Sequence, residues 1–137
     1  MMPEFSHVSW LGVARAALSA FLLGGLWYSP LMFLSVWNRE SGRATPPDPE
    51  EAKHGASVFL VAFVMAFVAA AVFAAFLPPD AGVGLSVARG VQWGIGFVAM
   101  SFGINYAFSG KSPVLFLVDG GYHVVQFVLY GLVLGLL

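Results

Sequence analysis

Apolar residues fill four long segments of this chain and leave most polar residues to the stretches between them. A helix that crosses the hydrocarbon core of a bilayer needs about 20 predominantly apolar residues. The pattern therefore predicts four transmembrane helices, at about residues 9–28, 49–77, 85–108 and 113–137, in a single domain covering residues 1–137. The apolar segments themselves are Trp10–Tyr28, Gly55–Leu77, Leu85–Phe108 and Pro113–Leu137.

The connections between these segments predict how the helices are arranged. Residues 78–84 and 109–112 are short connections, and helices joined so tightly run in opposite directions. We expect an all-α fold, an integral membrane, antiparallel four-transmembrane-helix bundle. Ser112–Pro113 is typical of a helix start, and Asp48–Pro49 predicts the start of the second helix. Ser29–Pro30 predicts the end of the first helix and a short interfacial helix at about residues 30–38.

Composition and charge agree with a membrane protein and exclude several classes. The chain is 59% hydrophobic and 9% charged, whereas a soluble domain has about a quarter of its residues charged. Seven of the charged side chains fall in Asn38–His54. There is no basic patch for nucleic acid, and no cysteine for a disulfide or a thiolate metal site. The expected surroundings are a lipid bilayer.

Lysine and arginine in the loops predict an orientation. Loops 38–54 and 109–112 carry Arg39, Arg43, Lys53 and Lys111, whereas the loops on the opposite side carry none. Cytoplasmic loops are enriched in these residues, so we expect both loops in the cytoplasm and both termini outside.

The last predicted helix carries a line of polar side chains. Asp119, His123, Gln126 and Tyr130 follow at spacings of four, three and four residues, so they share one helix face. Counted from Pro113, Asp119 lies about 9 Å and His123 about 15 Å along the helix. A carboxylate at such a depth needs partners within the protein, and His123 is the expected one.

The third predicted helix adds three polar candidates. Arg89 and Gln92 share a face, and Asn105 matches Asp119 in depth. The guanidinium of Arg89 either snorkels to the membrane surface or reaches towards the polar face of the last helix. In an unbroken helix Asn105 lies about 160° from Arg89, so both could not face one neighbour unless intervening glycines bend the helix.

These side chains predict a small-solute or proton-coupled binding or transport module. An ionisable residue within a membrane helix is a functional candidate by default, and a histidine can change charge near neutral pH. The competing interpretation of Asp119 and His123 is a polar clasp that fixes helix register, at about 0.6 kcal/mol per hydrogen bond. The complete candidate site is Asp119, His123, Gln126, Asn105, Gln92 and Arg89.

The chain offers little for catalysis or metal binding. His7 and His54 fall on opposite sides of the predicted membrane, so neither can easily join His123 around a metal. No nucleophile elbow is present. We therefore expect no metal and no cofactor, and a role other than that of an enzyme.

Small residues recur every four positions in all four predicted helices. Ser86, Gly90 and Gly94 are one such series, and Gly131 and Gly135 are another. Small residues let helix backbones approach closely in lipid. We expect packing within the chain, but the same faces could form a homo-oligomer or bind a membrane protein partner. The alternative function is therefore a structural or accessory membrane subunit, and it predicts loss of assembly on Gly131→Leu.

Three motifs resemble a known bacterial membrane family. They are Trp27-Tyr28-Ser29-Pro30-Leu31-Met32-Phe33, Asn105-Tyr106 and Leu115-Phe116-Leu117-Val118-Asp119-Gly120-Gly121-Tyr122-His123. The chain resembles the four-helix integral membrane family known as domain of unknown function 1761 over nearly its whole length. The resemblance implies four transmembrane helices in a bacterial cytoplasmic (inner) membrane, and it implies no activity.

Overall fold

The computed structural model describes residues 3–42 and 55–137, and these residues form an all-α structure. Within that part of the chain the helices are α1 (Trp10–Trp27), α2 (Leu34–Glu40), α3 (Ala56–Phe76), α4 (Val83–Phe108) and α5 (Pro113–Gly135). Helices α1, α3, α4 and α5 are long and apolar enough to cross a membrane. The predicted helix start at Asp48–Pro49, and the loop charges Arg43 and Lys53, lie outside the described residues.

Serine and proline mark the helix ends. The hydroxyl of Ser112 accepts a hydrogen bond from the backbone N–H of Leu115 at 3.1 Å, and Pro113 occupies the first turn of α5. The predicted start of this helix is thereby confirmed. Residues 28–33 form turns, so the short helix α2 begins at Leu34 and not near residue 30.

The segment before α1 covers the end of α3. The backbone N–H of Glu4 donates to the carbonyl oxygen of Ala75 at 2.9 Å. The Nε2 atom of His7 donates to the carbonyl oxygen of Leu77, also at 2.9 Å. The last carbonyl groups of a helix have no partner within it, so these two bonds satisfy groups that would otherwise need water.

Helix α3 is apolar on all sides. Its inward face packs Ala70 and Phe73 against α1 and α5, and both side chains are almost completely buried. On its outward face Leu60 and Met65 are 65% and 67% exposed. A helix without a polar face is typical of one surrounded by protein on one side and lipid on the other.

Helices α4 and α5 approach so closely that their backbones touch at glycines. A Cβ atom at Gly90 would lie 2.2 Å from the carbonyl oxygen of Phe127. One at Gly131 would lie 2.2 Å from the carbonyl oxygen of Ser86. The small-residue faces of these two helices are therefore used within the chain. Gly131→Leu would disrupt the fold itself and cannot serve as the assembly test that the sequence suggested.

A π-helical turn interrupts α4 at Gly94–Ala99. At its start Gly94 lies against Val124 of α5, and at its end Ala99 lies beside Gly120 of α5. Gly94 and Ala99 are five residues apart, whereas residues on one face of a regular α-helix are three or four residues apart. The turn thus lets both halves of α4 face α5.

Candidate functional site

The carboxylate of Asp119 lies where α1, α4 and α5 meet. Tyr28, at the end of α1, donates a hydrogen bond from its hydroxyl to Oδ1 of Asp119 at 2.6 Å. Tyr106, near the end of α4, donates its hydroxyl to Oδ2. The side chain of Asp119 belongs to the buried part of the protein, at 8% exposure. Two neutral hydroxyl groups therefore hold the carboxylate in place from two neighbouring helices.

Two more hydrogen bonds join α1 to α5 at the same level. The indole Nε1 of Trp27 donates to the carbonyl oxygen of Val118 at 2.9 Å. The hydroxyl of Tyr122 donates to the carbonyl oxygen of Ala20 at 3.0 Å. The Tyr122 hydroxyl also lies 3.3 Å from where a Cβ of Gly24 would be, so the glycine makes room for the ring. The end of α1 is thus fixed firmly beside Asp119.

A cavity of about 630 Å³ adjoins Asp119. Helices α1 and α3 supply most of its apolar walls, α2 adds three residues, and α5 adds Asp119 and Tyr122. This volume lies within the range of cavities that hold drug-sized ligands, about 300–1,000 Å³. The lining residues are Phe21, Gly24, Gly25, Tyr28, Leu34, Trp37, Asn38, Val58, Phe59, Ala62, Ala66, Asp119 and Tyr122.

A second polar group runs along α5 from His123 to Tyr130. Nδ1 of His123 and Oε1 of Gln126 are 2.5 Å apart, so the ring nitrogen donates to the amide oxygen. The amide nitrogen of Gln126 donates to the hydroxyl of Tyr130 at 2.6 Å, and that hydroxyl donates to the carbonyl oxygen of Ala66 at 2.9 Å. The chain of bonds ends on the backbone of α3, so it ties α3 to α5.

Asp119 and His123 share a helix face but have different partners. We expected His123 to be the partner of Asp119; the hydrogen bonds of Asp119 instead go to two tyrosines, and that of His123 goes to Gln126. The ring of His123 stacks on Phe102 of α4, with centroids 4.8 Å apart. The predicted single centre is therefore two adjacent polar groups, and only Asp119 lines the cavity.

The three candidates on α4 lie away from these groups. Arg89 and Gln92 are exposed, and Nη1 of Arg89 lies 3.4 Å from Oε1 of Gln92. Asn105 is exposed as well, and it is the next residue, Tyr106, that contacts Asp119. The structure therefore brings Asp119, His123 and Gln126 onto the buried face of α5 and leaves Arg89, Gln92 and Asn105 on the outside.

Ser112, at the start of α5, acts on the last residue of α2. By hydrogen bonding and charge, Ser112 and Arg39 hold the pKa of the Glu40 carboxyl below its ordinary value of 4.5. The same Ser112 oxygen caps α5, so one side chain serves both elements.

Residues 11–135 match the family model described as protein of unknown function, DUF1761. The chain belongs to the DUF1761 family. The family resemblance inferred from the sequence motifs is thereby confirmed. No curated protein and no solved structure matches the chain.

In this DUF1761 protein the sequence reasoning missed the two tyrosines that hold Asp119. Tyr28 is not among the candidates predicted from the sequence, and Tyr106 directly follows the candidate Asn105. Both lie in the motifs that carry the family resemblance, within Trp27-Tyr28 and Asn105-Tyr106. Their positions at the end of α1 and near the end of α4, level with Asp119 in depth, were the available indication.

The described residues of this DUF1761 protein supply few metal ligands in one place. Within residues 3–42 and 55–137, no three His, Asp or Glu side chains come together as a metal site. The chemistry that the Asp119 group can offer is therefore hydrogen-bond acceptance by a carboxylate within a largely apolar cavity.

Proposed function

We propose that this protein is a membrane module that binds a small molecule in the cavity beside Asp119. The main observation in support of this proposal is that a buried carboxylate, held by Tyr28 and Tyr106, lines an otherwise largely apolar cavity of about 630 Å³. Ligand pockets typically combine apolar walls with a few placed polar groups. A carboxylate within a membrane protein is costly to keep, and a binding role gives it a reason to be there.

The proposed setting is a bacterial cytoplasmic membrane, spanned by α1, α3, α4 and α5 as an antiparallel bundle. The exposed apolar side chains of α3 support insertion in lipid, since they would otherwise face water. The pairs Gly90–Phe127 and Gly131–Ser86 support opposite directions for α4 and α5. Arg39 and Lys111, at the end of the bundle that holds the cavity, support a cytoplasmic position for that end.

The hydrogen-bonded chain from His123 to Ala66 supports a structural role for that group. Its last acceptor is a backbone carbonyl oxygen, which cannot take up and release a proton as a side chain does. Proton coupling through this chain is therefore not part of the proposal. Assembly with a second copy or with another membrane protein stays a prediction, because the small faces of α4 and α5 are occupied within the chain.

Cysteine labelling tests whether the cavity is accessible to a solute. The chain has no cysteine, so Ala62→Cys introduces a single thiol at the cavity wall. Met65→Cys, on the outward face of the same helix, is the matched control. In membrane vesicles of both orientations, a charged methanethiosulfonate should modify position 62 about tenfold faster, because thiolates form in water and not in lipid.

Filling the cavity should abolish that difference. A Cβ at Gly25 meets nothing within 4 Å, so Gly25→Phe has room to enter the cavity and should slow labelling at position 62. Gly84→Phe is the control, since Gly84 is equally open and lies outside the cavity. Equal labelling of positions 62 and 65, or no effect of Gly25→Phe, would overturn the proposed function.

A further inference from the structure

We propose that the cavity selects an amphiphilic organic cation, with its charged group at Asp119 and its apolar body between α1 and α3. The inference rests on the proposed function and names the class of ligand that the same site takes. It is carried by three properties of the cavity: a carboxylate with no cationic partner among the described residues, aromatic walls and few other polar groups.

The carboxylate of Asp119 has no cationic partner among the described residues. The ion pair in that part of the chain joins Arg39 to Glu40, and Arg89 contacts Gln92 on the outside. The amine of Lys111 lies over the ring of Tyr106, 5.9 Å from its centroid, and does not pair with Asp119. A buried charge of one sign, sheltered only by neutral hydroxyl groups, attracts a ligand of the opposite sign.

The hydrogen bonds of Asp119 leave it able to bind such a ligand. An ionised carboxylate has about four acceptor positions, and Tyr28 and Tyr106 use one on each oxygen. The two tyrosines also fix the orientation of the carboxylate, since they bind from different helices. Little side-chain freedom is then lost when a cation arrives, which favours binding.

Aromatic rings line the cavity that Asp119 adjoins. The ring of Tyr28 contacts Tyr122, with centroids 5.6 Å apart, and Trp37, with centroids 6.3 Å apart. Phe21 and Phe59 line the same cavity. The faces of aromatic rings attract cations, and such cages are used to bind quaternary ammonium groups.

The remaining walls suit an apolar body and not a polar one. Besides Asp119 and the tyrosines, the polar groups of the lining side chains are the amide of Asn38, which is buried, and the indole N–H of Trp37. A sugar or a nucleotide would leave many hydrogen-bonding groups without partners in such a cavity. An anion of any shape would be repelled by Asp119. An apolar cation satisfies both restrictions.

Two ions of nearly equal size and opposite charge test the inference. Tetraphenylphosphonium and tetraphenylborate are both apolar, and equilibrium dialysis against the purified full-length protein in detergent measures their binding. We expect saturable binding of tetraphenylphosphonium and no saturable binding of tetraphenylborate. Asp119→Asn should weaken phosphonium binding about tenfold or more, because the attraction acts in an apolar cavity. This comparison of two ions on the unaltered protein does not depend on any variant folding.

The variants separate failure of the inference from failure of the proposed function. Gly25→Phe should abolish phosphonium binding, and Gly84→Phe should leave it unchanged. One possible result is that both ions bind, that Gly25→Phe blocks the binding of both, and that Asp119→Asn changes the binding of neither. This result would overturn the selection by charge and would still support a ligand-binding cavity. If neither ion binds, the inference is overturned, and labelling at position 62 still decides whether the cavity takes a solute.

Discussion

Alanine at Gly90 or Gly131 will destabilise this protein, whereas alanine at Gly84 will not, although each change adds one methyl group to a helix. A Cβ at Gly90 would lie 2.2 Å from the carbonyl oxygen of Phe127, and one at Gly131 would lie 2.2 Å from that of Ser86. Optimal contact distances begin at about 3.5 Å, so the two backbones would have to separate by about 1 Å. Nothing lies within 4 Å of a Cβ at Gly84.

The expected cost follows from that separation. Forcing extra atoms into a packed interior typically costs about 1–3 kcal/mol, and we expect about 2–3 kcal/mol here because the obstacle is backbone that cannot rotate away. Gly84→Ala should instead stabilise by about 0.5–1 kcal/mol, since alanine loses less backbone entropy in a helix.

Unfolding by increasing fractions of dodecyl sulfate in mixed micelles, followed by circular dichroism, measures the difference. Gly90 and Gly84 belong to the same helix, so the comparison is matched for secondary structure. If Gly90→Ala and Gly131→Ala unfold at the same detergent fraction as Gly84→Ala, the close approach of α4 and α5 is refuted, and with it the reasoning from it.

Two further predictions use the same unfolding assay, and a third uses thermal unfolding at several pH values. Tyr130→Phe should lower the unfolding free energy by about 1 kcal/mol, because it removes the hydroxyl that joins Gln126 to the carbonyl of Ala66; an unchanged midpoint would contradict this. Ser112→Ala should cost about 1 kcal/mol, because α5 loses its N-cap; equal stability would mean that the cap contributes nothing. The lowered pKa of Glu40 stabilises the fold above its ordinary value of 4.5, and this contribution disappears as the pH falls through the lowered pKa. The melting temperature of Glu40→Gln should therefore decline less steeply with acid than that of the unaltered protein, and parallel declines would refute the role of Glu40.

Length and apolarity were enough to predict the four long helices, because the length and hydropathy that a membrane crossing would need can be read from each segment alone. The polar face of α5 was predictable for the same reason, since Asp119, His123 and Gln126 follow the helical period. The hydrogen-bond partners of Asp119 could not be predicted in this way, because they come from other helices. Whether Tyr28 faces lipid or α5 depends on how α1 is rotated, and the sequence of α1 does not contain that angle.

The choice of Asn105 over Tyr106 has a more specific cause. Asn105 was chosen because its depth matches that of Asp119. A helical wheel with 100° per residue could not correct that choice, because the π turn breaks the assumption of a constant rotation. The sequence did contain an indication, because the small residues Ser86, Gly90 and Gly94 are followed by Ala99, after a step of five and not four. Extending the wheel from Ala99 brings Tyr106 to the inner face.

The bonds from Glu4 and His7 to the last carbonyls of α3 have a consequence for how the chain is made. Glu4 and His7 are synthesised before Ala75 and Leu77, which lie some seventy residues later in the chain. The segment before α1 therefore cannot form these hydrogen bonds until α3 has been synthesised.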